Sequence, residues 1–168
     1  MAKKKGNVPI GAVRVRGGPM AMGPQRQRLR PMVTADSAGA QAISSGDVQM
    51  DPGHYSAAHV HETSEVIVRV LDGFAATVTW ADDGAVTVTP HQAGDDVYIA
   101  PGVPHAAINL SRRHWVLAWE VRTDPAFNDD VHSRPELDRQ MPELAQQAQD
   151  DHLDRVRAAQ ARGELPWR

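Results

Sequence analysis

The middle of the chain alternates. Phe74, Ala76, Val78 and Trp80 fall on one side of a period-two pattern, and Ala75, Thr77 and Thr79 fall on the other. That period belongs to a strand with two different faces. Before it, residues 64–71 form a β-branched run that ends at the turn signal Asp72-Gly73. After it, Asp82-Asp83-Gly84 predicts a hairpin turn, and residues 85–89 continue the meander. Further strands are expected over 97–100, 106–110 and 114–122, with weaker ones around 40–44 and 48–50. Short strands separated by frequent turn signals describe an all-β sandwich or barrel.

The two ends read differently. Residues 1–32 are rich in Gly, Pro, Met and Arg without strand or helix periodicity, so a flexible lead-in is expected. Residues 142–162 predict a helix, with Pro142 at a first helical position and Gly163 at its stop. Leu144, Ala148, Val156 and Ala159 fall near one face, with Leu153 beside it. This stripe is weak, which suits a helix on the outside of the domain or across a dimer. The expected organisation is an N-terminal arm (1–32), a β-barrel (33–124) and a C-terminal extension (125–168).

Charge sharpens the view of the arm. Eight of the 18 Lys and Arg lie in residues 1–32, which hold no acid, so ten bases face 21 acids in the remainder. A basic arm can hold nucleic acid or an acidic partner. Here it has no aromatic residue to stack on bases, and a solvated tail is the expectation. The chain has no cysteine, which excludes disulfides and thiolate metal sites. No apolar run approaches the roughly 20 residues that span a bilayer, and the basic N-terminus lacks the apolar stretch of a signal peptide. The expected compartment is the cytoplasm.

The candidate chemistry lies in two segments. His59 and His61 are two apart, Glu65 follows four later, and His105 lies downstream. On a strand, His59 and His61 point the same way. Neutral imidazoles with one carboxylate suit a divalent first-row metal and leave positions open for substrate. Glu62 is next to His61, but strand parity favours Glu65. His54, His91, His114, His132 and His152 have no spacing partner and read as surface or packing residues, with His91 the one able to reach a barrel rim.

These segments resemble the two motifs of the cupin superfamily. The first motif runs Gly, five residues, His-x-His, three or four residues, Glu, six residues, Gly. Gly53, His59, His61, Glu65 and Gly73 occupy those places, with seven residues rather than six after Glu65. The second runs Gly, five residues, Pro-x-Gly, two residues, His, three residues, Asn. Gly94, Gly102, His105 and Asn109 match it, while Ala100 takes the proline place and Pro101 follows. The resemblance implies a jelly-roll barrel (a double-stranded β-helix) in which His59, His61, Glu65 and His105 converge on one divalent metal per chain, whether Fe, Mn, Ni, Zn or Cu. It also implies a homodimer. The extra residue after Glu65 suggests a β-bulge. Arg69 shares Glu65's parity. It is expected to face the interior toward an anionic substrate, unless the bulge turns it outward or Glu120 pairs with it. Trp80, Tyr98, Asn109, Trp115 and Trp119 are further candidates for a substrate wall. The function expected from these residues is a metal-dependent dioxygenase acting on a small organic molecule. The alternatives are a non-redox isomerase, epimerase, lyase or rearrangement enzyme, and a non-catalytic ligand-sensing or partner-binding protein.

Overall fold

In a computed structural model, which describes residues 11–164, the chain forms two antiparallel sheets facing one another. The strands are β1 (Ala21–Met22), β2 (Arg28–Val33), β3 (Ser44–Met50), β4 (His59–His61), β5 (Val66–Asp72) and β6 (Phe74–Trp80). They continue with β7 (Val86–Gln92), β8 (Asp96–Ile99), β9 (His105–Asn109), β10 (Val116–Arg122) and β11 (Val131–Ser133). One sheet has the order β1-β2-β3-β10-β5-β8 and the other β11-β4-β9-β6-β7. Neighbours are mostly distant in sequence, as in a jelly roll built from long crossovers.

The alternation in β6 has the consequence its pattern implies. Ala76, Val78 and Trp80 face outward into a buried cluster with Ala106 and Ile108 of β9. The helix α3 (Met141–Ala161) lies over this cluster and inserts Met141, Ala145 and Ala148. Met141 is fully buried, worth roughly 1.5–3 kcal/mol of hydrophobic stabilisation. The weakly apolar helix is thus a lid on the outer face of the five-stranded sheet. The opposite face of β6, with Ala75 and Thr77, looks into the barrel. Two short helices complete the order, α1 (Ala35–Ala38) and α2 (Pro135–Asp138).

The basic lead-in is shorter than its composition suggests. β2 lies largely within it and pairs with β3 from Arg28↔Gln49 to Val33↔Ser45. Arg30 is held by Asp47 across that pairing, and Arg28 by Asp51 at 3.2 Å. Leu29 is buried against Val48, Ala118 and Phe127. Local periodicity cannot show this strand, because Pro31 and the arginines are satisfied only by the neighbouring strand. Lys3, Lys4 and Lys5 lie outside the described residues. The separate strands expected near 40–44 and 48–50 are one strand, β3, starting at Ser44.

Two glycines are required by contact. Gly73 turns β5 into β6 at φ +90°, and a Cβ there would lie 2.5 Å from the Trp115 carbonyl oxygen. Gly46 lets the Phe127 ring lie on β3, since a Cβ would meet that ring at 2.5 Å.

Candidate metal centre

His59, His61 and His105 come together inside the barrel. β4 carries the first two on one inward face, and β9 pairs with it so that His59 stands opposite His105. One donor nitrogen from each lies within 4.8 Å of the other two, and all three side chains are buried. Each ring is oriented through Nδ1. His59 bonds the Ala57 carbonyl at 2.8 Å, His105 the Val103 carbonyl at 2.8 Å, and His61 the Asp130 carboxylate at 3.2 Å. With acceptors at every Nδ1, the proton resides there and Nε2 is left to donate its lone pair. A carbonyl or carboxylate behind the ring is the usual support of a metal-binding histidine.

The surroundings keep these rings neutral. Burial pushes His59 well below its ordinary range, and the neighbouring His105 adds to that. Burial brings His105 down to about 4. His61 is also lowered, by burial first and the Arg122 charge second, with Asp130 opposing. Burial by itself raises the Asp130 carboxyl, but hydrogen bonds from Ser64 and His61 outweigh it and hold the group at about 2. Three neutral nitrogens backed by acceptors fit a divalent first-row ion.

Glu65 does not join them. It is exposed, and its carboxylate accepts a 3.0 Å hydrogen bond from the Tyr98 hydroxyl. The inward residues of β5 are Val66, Val68 and Val70, which line the cavity. Parity does not carry from β4 into β5, because residues 62–65 form a separate loop. With four residues between it and His61, and six between it and Gly73, the motif's glutamate place falls on Val66. A valine therefore stands where the motif has its glutamate.

The bulge implied by the extra residue does occur, but later. Leu117 of β10 pairs with Asp72 and Ala118 with Val70, which leaves Leu71 as the additional residue. It therefore does not set the direction of Arg69. Arg69 faces solvent with Glu65's parity, and its guanidinium is bidentate to Asp96 at 2.9 and 2.7 Å.

The other wall candidates also lie elsewhere. Trp80 is packed under α3, with its Nε1–H donating to Gln140 at 3.3 Å. Asn109 is fully buried, donating to the carbonyls of Met50, Asp51 and His114 and accepting from Ser111 N–H. It braces loops. Trp115, Trp119 and Tyr98 are exposed, with Trp119 paired to Arg69 on the outer face of the six-stranded sheet. Trp119 lies outside because on β10 the inward parity belongs to Val116, Ala118, Glu120 and Arg122.

Glu120 and Arg122 are the charged residues of the cavity that the motifs do not mark. Both are buried, and Arg122 Nε donates to Glu120. Arg122 Nη1 donates to Asn128 and to the Phe127 carbonyl, and its guanidinium lies 4.5 Å from the Phe127 ring centre. Two charged residues at core parity in a strand are the one sequence signal that points to them. Apart from this pair, Gln27, the histidines and Thr77, the cavity is apolar, with a volume of ≈ 60 Å³. That is room for about two water molecules.

Residues 46–119 match the family model described as the cupin domain. No curated protein matches the chain. Similar solved structures include oxalate decarboxylase from Bacillus subtilis, among them a study of its Mn(II) centres. It is 20% identical with a TM-score of 0.57, covering 64% of this chain and 28% of that chain. A formate complex of oxalate decarboxylase from Lactobacillus farciminis is 20% identical with a TM-score of 0.58, covering 71% and 33%. This chain thus spans about a third or less of those enzymes. At such identity the likeness is one of fold. No helix among the described residues is long and apolar enough to cross a membrane.

Proposed function

Residues 46–119 form a cupin domain, and from that premise we propose a metal-dependent enzyme, of the dioxygenase class, that acts on a small anionic organic molecule. The observation that carries it is the buried trio His59, His61 and His105, each anchored through Nδ1 so that three neutral nitrogens converge. A divalent ion there would supply Lewis acidity and, if redox-active, one-electron chemistry with oxygen.

The residues around it define what would be bound. Three imidazoles carry no charge, and Glu120 is neutralised by Arg122. The ion's double charge is therefore uncompensated by its own ligands, which favours an anionic substrate group in the open positions. Formate and Mn(II) in the structural neighbours agree with a small carboxylate beside a first-row metal. Val66, Val68 and Val70 keep bulk water from the reacting end.

A non-redox lyase or isomerase is the second reading, favoured by Glu120. It is a buried carboxylate in the cavity, and proton transfer needs such a group. Elemental analysis of the purified protein, followed by oxygen consumption with a panel of small organic acids, tests both. Stoichiometric metal with oxygen uptake supports the first reading. Full turnover without oxygen supports the second.

We also infer a homodimer in the cytoplasm. Ile67, Leu71, Tyr98, Leu117 and Trp119 are large apolar residues exposed on the outer face of β8, β5 and β10, around the Arg69–Asp96 pair, and exposed apolar surface of this kind marks protein interfaces. A second copy related by a two-fold axis would cover it. Sedimentation of Trp119→Glu against wild type tests this, with a shift to monomer expected.

A further inference from the structure

The barrel is not closed all the way round. β7 ends one sheet and β8 ends the other, and these two edges do not pair. Between them lies a surface groove of ≈ 610 Å³, lined by Thr79 and Thr89 on one side and by Val97, Ala100 and Val103 on the other. Thr77, His91 and Ile99 line both this groove and the metal-facing cavity. They are the partition between bulk solvent and the three histidines. The grooves under α3 share none of these three with the cavity except His91, at the end of one of them.

The partition is thin and its chemistry is mixed. Ile99 is buried and makes the apolar part of the wall, with Thr77 buried beside it. His91 is half-buried, with its ring against the Thr89 backbone and near the Asp95 charge. β7 and β8 also lack a hydrogen-bonded neighbour on this side, so they can separate without breaking a ladder.

We propose that the seam between β7 and β8 is the route by which metal ions and small ligands reach the three-histidine site, with Thr77, His91 and Ile99 as its gate. The size mismatch gives the substrate a shape. The inner cavity admits only a small head group such as a carboxylate, while the outer groove holds the body of the molecule against the threonines and Val97. His91 is the polar ring at the neck between head and body. This inference rests on the metal-site reading above.

The test uses the full chain and Co(II) alone, following its visible absorption. Uptake by metal-free protein and loss to excess EDTA are timed for wild type, Ile99→Ala and Thr89→Trp. Ile99 is part of the partition, and Thr89 is an exposed edge residue at the groove mouth. A gate changes the barrier and not the end states. Ile99→Ala should therefore speed both uptake and loss by about tenfold, and Thr89→Trp should slow both, at unchanged equilibrium affinity. General loosening of the fold cannot produce the slowing, so the Thr89 variant guards against a destabilised Ile99 variant. Wild-type binding with unaltered rates in both variants overturns the gate and leaves the metal site standing. No Co(II) spectrum in wild type overturns both.

Discussion

His61 and Asp130 are 69 residues apart and meet through an Nδ1···Oδ1 contact of 3.2 Å. The same carboxylate accepts from the backbone N–H groups of Thr63 and Ser64, so it orders the loop between β4 and β5 as well as the ring. β11 pairs with β4 immediately beyond, Val131 opposite His61. Removing the carboxylate charge should weaken metal binding by about 10- to 100-fold, the usual cost of losing such support. Competition against a chromophoric chelator with Asp130→Asn measures it; an unchanged affinity would show that Asp130 only organises the loop.

The three histidines should act as a unit. His59→Ala, His61→Ala or His105→Ala each leaves two nitrogens, too few for a stable closed set. Metal content per chain is expected to fall from near one to a small fraction. By contrast, Glu65→Gln should retain full metal, because that carboxylate bonds Tyr98 on the outer surface. Metal loss in Glu65→Gln would be incompatible with the placement of β5.

Val66 offers the complementary experiment. It is 1% exposed and lies on the cavity wall, so Val66→Glu puts a carboxylate where the motif has one. The metal-free variant should be destabilised by burial of an unpaired acid, and added Zn(II) or Mn(II) should reverse this through ligation. Thermal melts with and without metal give both halves of the prediction. A melt lowered equally in both conditions would mean the new side chain fails to reach the ion.

Glu120 and Arg122 should be strongly coupled. Breaking a buried pair leaves an uncompensated charge, at a cost of about 3–5 kcal/mol. Glu120→Met and Arg122→Met are each expected to lose stability on that scale, whereas the double variant loses less than either single one. Urea denaturation of the four proteins closes the cycle, and additive losses would count against the pairing.

Acid should destabilise the metal-free protein over a defined window. His105 in the fold accepts its proton only at about 4, and His59 and His61 are lowered too. The unfolded chain takes up these protons near 6.5. Between those values the unfolded state binds more protons, so stability falls as pH drops from about 7 to about 4. Below that the His105 contribution levels off, and the Asp130 contribution is lost as pH falls toward 2. Denaturant midpoints across this range should show the first slope flattened in His105→Gln.

Much of the site was readable before any contact was known. The repeat of His59 and His61, the glycines around them and the register of the second motif locate a histidine centre, because strand parity makes residues two apart point together. The alternating β6 and the proline-to-glycine span of α3 were readable for the same reason: each is a local pattern with its own period. The absence of a carboxylate beside the histidines was not. Glu65 and Val66 are adjacent, and which of them faces inward depends on how residues 62–65 loop from one sheet to the other. Counting along the chain cannot register that.

The remaining differences share this cause. Trp80, Trp115 and Trp119 look alike as apolar strand residues, yet one packs under α3 and two face outward. β2 exists because β3 supplies hydrogen bonds and an acid for Arg30, neither of which is near it in sequence. The amino-acid sequence by itself determined the all-β class, the C-terminal helix and the histidine trio, since these follow from short-range period and spacing. Only the tertiary structure decided that a valine replaces the carboxylate, that Glu120 and Arg122 share the cavity, and that β7 and β8 leave a seam. Those outcomes depend on which faces meet when two sheets close over a core, and no single strand carries that information.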